Sequence, residues 1–114
     1  MERLVPFTLR ASNIDDQSRL VAVLACGVCE AVLAGALPLE HATITLFNPY
    51  TLAQLEKASA DPRAIELVHL GSELEDVREL VPDALERSLR DIYEKALLLL
   101  RELPPPTARW CSAE

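Results

Sequence analysis

The densest chemistry in the sequence lies at residues 69–76, His-Leu-Gly-Ser-Glu-Leu-Glu-Asp. Histidine ordinarily titrates nearest neutrality, and a carboxylate beside it makes a proton-transfer pair or part of a divalent-metal site. His69 with Glu73 or Asp76 is therefore a candidate for acid–base work or metal binding. A second account needs no chemistry. His69 falls at the end of one helix, where the macrodipole favours a cation. Glu73, Glu75 and Asp76 fall in the first turn of the next, where it favours acids. The dipole account explains every charge in the stretch and takes precedence. No residue is assigned as catalytic or as a metal ligand, and no cofactor is expected.

Leu46-Phe47-Asn48-Pro49-Tyr50 is the second candidate stretch. An asparagine before proline caps helix ends through its side chain. Phe47 is expected in the core, and Tyr50 has a hydroxyl to place along a groove. The candidate binding residues are thus His69, Glu73, Glu75, Asp76, Asn48 and Tyr50. Cys26 and Cys29 have the spacing of a redox or metal pair. They fall in mid-helix, not at the strand–helix junction that lowers a thiol pKa, and no second pair follows to complete a zinc site. They read as small core hydrophobes. The chain has no nucleophile motif, no Gly-rich phosphate loop and no H-E-x-x-H.

The elements that must position these residues are helical. Leu20–Leu39 is apolar on nearly every side, with Glu30 its one charge. A helix apolar all round is buried at the centre of a domain or spans a membrane. The central acid and the weak hydrophobicity of Gly27, Gly35 and the alanines argue against a span. Helix one is expected over 14–36, capped by Ser12 or Asn13 and closed at Gly35. Residues 39–47 mix helix formers with β-branched Thr43-Ile44-Thr45, and Pro38 with Glu40 tips them to helix. Short helices are expected over 52–58, from Asp61-Pro62 to Gly71, and from Ser72 to Val81. The last begins at Pro82. Its Leu85, Leu89, Ile92, Ala96, Leu99 and Leu103 form a heptad-like seam. Leu97, Leu98 and Leu100 widen that seam beyond what one neighbour covers, which marks an interface.

Residues 1–12 are expected to be extended. Pro6 confines a strand there to an edge. The simpler form is an arm laying Phe7 and Leu9 on the core; the alternative is an edge strand needing a partner, as from a second copy. Residues 104–114, after Pro104-Pro105-Pro106, are expected to be a mobile tail carrying Trp110. The domain is thus 1–103 and the tail 104–114.

Two of these motifs also carry a resemblance. L-F-N-P-Y at 46–50, followed by H-L-G-x-E-L-E-D at 69–76, resembles a family of short bacterial proteins known only as a domain of unknown function. The order of elements is similar over residues 4–103. The resemblance implies no activity and no catalytic residues; it marks the two motifs as the first places to look.

The 114 residues suffice for one domain, and half are hydrophobic. Five are aromatic, so the core must be built of Leu, Val, Ala and Ile. The net charge of −7 argues against nucleic-acid binding and against anionic lipid surfaces. An odd cysteine count and an opening M-E-R-L-V-P-F without a basic leader point to a reducing cytoplasm. The expectation is an all-α, compact five- or six-helix domain around the buried helix at about 14–36. It is expected to be a homodimer and, more readily than an enzyme, a small acidic cytoplasmic protein-binding module. By analogy with immunity proteins or antitoxins, its partner would be basic. The alternative is a small enzyme or metal- or ligand-binding domain using His69 with Glu73 or Asp76.

Overall fold

Helix boundaries follow caps written in the sequence. A computed structural model describes residues 4–111. In chain order the helices are α1 (Ile14–Leu33), α2 (Leu39–Thr45), α3 (Pro49–Lys57), α4 (Pro62–Ser72), α5 (Leu74–Leu80) and α6 (Leu85–Glu102). Four have nine residues or more; α2 and α5 have seven. No strand forms among the described residues, so the chain is all-helical as expected.

Asn13 caps α1, its side-chain oxygen accepting from the Asp16 N–H at 2.8 Å. The helix stops at Leu33, earlier than residue 36. Gly35 adopts φ +74°, and the N–H groups of Gly35 and Ala36 return to the Val32 and Ala31 carbonyls. That double return closes the helix as soon as a residue can turn left-handed, which glycine does without penalty. Ser59 makes the same closure after α3 at φ 55°, where a side chain is strained. Helix α3 starts at Pro49, three residues before the expected Leu52, because Asn48 rather than Thr51 is the cap. Ser72 caps nothing; its hydroxyl donates to the His69 carbonyl, and α5 begins at Leu74. Pro82–Ala84 is a 3-10 turn leading into α6.

Helices α1 and α6 form the main pairing. They run antiparallel: the Cys26 thiol lies against the Tyr93 carbonyl, and Arg19 reaches the Pro104 carbonyl. Helix α4 packs on both. Glu66–Lys95 and Arg63–Glu102 pairs at 3.7 and 2.7 Å set it antiparallel to α6. Ala22 and Ala25 of α1, Ala64 of α4 and Ala96 of α6 are fully buried in one core. Small side chains there let the three helices approach closely. Phe47, also fully buried, fills the space against Gly71.

Two expectations are corrected. First, α1 is not enclosed. Val21, Ala22, Ala25 and Cys29 face inward, but Val23, Leu24 and Gly27 face outward. Neighbouring helices cover only one side of it. Second, Phe7 is 80% exposed and Leu9 40%, so the arm does not lie on the core. Its one ladder contact is Leu9 opposite Cys111, with the Arg10 N–H donating to the Trp110 carbonyl at 2.7 Å. Residues 104–111, set apart as a tail in the sequence, lie against the body. Thr107 donates to Asp16 at 3.0 Å and Arg19 binds the Pro104 carbonyl, so the tail crosses the start of α1. The wide apolar face of α6 is also largely used within the fold: Ala96 and Leu99 are buried and Leu100 and Leu103 partly so, which leaves Leu98 as the exposed member.

Asp16 is the hub of this terminal clasp. It accepts from Asn13, Thr107 and, at 2.7 Å, Arg19. Burial alone would push its carboxyl up. The Thr107 and Asn13 hydrogen bonds and the Arg19 charge outweigh burial and hold it below the usual carboxylate range. A depressed folded-state pKa contributes stability that is present above the unfolded value and lost as pH falls through the folded one. Asp16→Asn is therefore expected to flatten the loss of stability below about pH 4, read by urea midpoints across pH. A separate pair of variants checks the core. A Cβ on Gly71 would sit inside the Phe47 ring, whereas one on Gly27 would meet nothing within 4 Å. Gly71→Ala is expected to lose about 1–3 kcal/mol or more, and Gly27→Ala to gain up to about 1 kcal/mol, by urea unfolding.

Candidate functional site

The residues singled out in the sequence lie around α2–α5, and the structure gives them uneven company. His69 sits in the last turn of α4, and Glu73 is the junction residue before α5. Their closest approach is His69 Nε2 to Glu73 Oε2 at 4.0 Å, with side chains 59% and 54% exposed. Between groups this open to water such a pair contributes little. Asp76 is exposed and Glu75 half-buried on α5. Among the described residues no group of three or more His, Cys, Asp or Glu side chains converges as a metal site would require. The cleft that Glu73 borders, between α4, α5 and α6, holds about 100 Å³. Small-molecule sites typically need about 300–1,000 Å³.

Asn48 acts structurally at both ends of its turn. Its side-chain oxygen caps α3 by accepting from the Thr51 N–H at 2.8 Å. Its amide nitrogen donates to the Thr43 and Ile44 carbonyls, both at 3.0 Å, which closes α2. One side chain thus satisfies orphan groups of two helices. Tyr50 projects into solvent, 74% exposed. The L-F-N-P-Y motif is therefore a hinge between two helices, with Phe47 its core anchor.

The cysteine pair points inward, Cys26 half-buried and Cys29 enclosed. Cys29 is fully buried; burial first, then its neighbour Cys26, pushes its thiol up to about 12. Burial also raises Cys26. Thiols held protonated are poor nucleophiles and poor metal ligands.

A family model described as "Protein of unknown function (DUF3969)" matches residues 12–111. The chain belongs to this family. The match extends past residue 103 and takes in the proline stretch and the tail up to Cys111, which the resemblance over 4–103 left out. No curated protein and no solved structure matches the chain. Among the described residues no helix is long and apolar enough to cross a membrane.

What remains accessible is surface. From Glu73 to Glu94, across α5, the 3-10 turn and the start of α6, eight acids stand against three arginines, five of the seven net negative charges. Arg78 is spent on Glu40 of α2 at 2.9 Å, and its hydrogen bond holds that carboxyl below the usual range. Arg90 faces Glu86 at 3.5 Å. An open groove of about 540 Å³ along α6, bordered by Asp83, Glu86, Asp91 and Glu94 together with Arg87 and Arg90, lies in this region. The α5 part of this face stands out in the sequence but its continuation does not: Glu86, Asp91 and Glu94 lie five and three apart, outside the apolar seam that marks this helix.

Asn48→Ala is expected to cost about 1–2 kcal/mol in urea unfolding, from the lost cap. His69→Ala is expected to change stability by less than about 0.5 kcal/mol, as exposed positions do. A large effect at His69 with none at Asn48 would contradict this assignment.

Proposed function

We propose that this protein is a non-enzymatic binding module whose acidic α5–α6 face engages a basic protein surface. The observation that carries this reading is the eight acids exposed or half-exposed over 73–94, whose nearest arginines are largely engaged with acids of the chain itself. Such a field speeds encounter with a positive partner and selects against negative ones, nucleic acid and anionic lipid included. Recognition of this kind needs no cleft, in keeping with the small one beside Glu73. Free thiols with raised pKa suit a reducing cytoplasm. A His69–Glu73 enzyme or ligand site has only the 4.0 Å approach in its favour.

The test is capture from cells of the native host, comparing the wild-type chain with a Glu73→Lys, Asp76→Lys, Glu79→Lys triple variant. The expected result is one basic protein retained by the wild type at low salt. Salt near 0.5 M, where the screening length falls to a few ångströms, is expected to release it, and the variant to lose it. Equal retention by the variant, or a bound metal or small molecule with no protein, contradicts the reading.

A further inference from the structure

Two apolar surfaces stand uncovered, and both begin at the terminal clasp. The first is the outer stripe of α1. Leu20, Val23, Leu24, Gly27 and Ala31 recur at helical spacing on one face. Val23 and Leu24 are 39% and 38% exposed, and the space above Gly27 is open. The second is the arm, where Leu4, Val5 and Phe7 are almost bare. The clasp seats the tail on Asp16 and Arg19, which head this side of α1, and holds the arm through Arg10 and Trp110.

We infer that a second copy of this chain covers the stripe, the two α1 helices crossing antiparallel about Gly27 with each arm laid on its partner. Charge selects the orientation. Glu30 is the one acid along the open part of the stripe. Because α6 runs antiparallel to α1, with Tyr93 beside Cys26 and Pro104 beside Arg19, Arg101 lies at the level of Leu20. Arg101 is exposed and in no ion pair among the described residues. A two-fold axis at Gly27 carries Glu30 of one copy to the level of Leu24 in the other, about one helical turn from Arg101. A parallel pairing would set Glu30 against Glu30. The small Gly27 at the crossing lets the backbones approach closely.

Area assigns the arm its part. The stripe from Leu20 to Ala34 is about 20 Å long, and α1 with α6 beside it about 20 Å wide, a footprint of about 400 Å². A stable interface takes about 800 Å² per partner. The three bare apolar side chains of the arm are the closest source of the difference. The pairing is two-fold and closed, so it ends at a dimer. The α5 part of the acidic face takes no part in it.

Sedimentation equilibrium of the full chain tests the inference. The wild type is expected at twice the chain mass at micromolar concentrations. Gly27→Lys replaces glycine with a better helix former at an open position, so the monomer keeps its fold. It buries an unpaired charge at the crossing and is expected to weaken the dimer more than about 100-fold, with unchanged circular dichroism. Glu30→Arg is expected to weaken it about fivefold, and adding Arg101→Glu to restore it. A monomeric wild type, a dimer indifferent to Gly27→Lys, or a charge swap that fails to restore overturns the inference.

Discussion

The architecture depends on how closely α1, α4 and α6 approach one another. Ala22, Ala25, Ala64 and Ala96 are buried without remainder where these helices meet. A chain with five aromatic residues cannot fill wide gaps, so it brings backbones together instead. Close approach gives dense contact at low side-chain entropy cost, and Leu67, Leu89, Ile92 and Leu99 pack around it. The one large ring in this core, Phe47, requires its own vacancy, which Gly71 supplies. That pairing ties the α2–α3 hinge to α4 and fixes where both sequence motifs stand.

Because the helices are drawn so tightly to one side of α1, the other side is left open. The chain's two ends partly address this. The arm and the tail meet at Leu9 and Cys111, and the tail crosses the first turns of α1 through Asp16 and Arg19. Beyond that clasp the stripe runs on uncovered. The polar counterpart is the acidic surface from α5 onward. The surface thus presents one charged and one apolar face, and among the described residues the buried titratable groups are Asp16 and Cys29, with Cys26 half-buried beside Cys29.

Much of the fold was legible because local rules and global packing agree. Asn48-Pro49, Asp61-Pro62 and Gly35 each predict a helix boundary from backbone chemistry, and each serves as one in the structure. The seam of α6 was legible because its apolar residues repeat at three and four. The outer face of α1 was not, since periodicity cannot distinguish an enclosed helix from one that is apolar on its open side as well. Nor was the clasp, which joins residues ninety apart through single hydrogen bonds that leave no pattern in composition. At 69–76 the pattern marks two helix ends: His69 stands in the last turn of α4 and Glu73 at the junction before α5, and both face solvent.

Native-state thiol labelling tests the central claim, a helix sealed on one face and open on the other beneath a clasp of the two termini. The three cysteines report on different places: Cys29 on the sealed face, Cys26 at its edge against α6, and Cys111 at the clasp. The account predicts that Cys111 reacts quickly with a thiol reagent at neutral pH, Cys26 far more slowly, and Cys29 only as fast as the molecule unfolds. A Cys29 that reacts as readily as Cys111, or a Cys26–Cys29 disulfide formed by mild oxidant without unfolding, would contradict it.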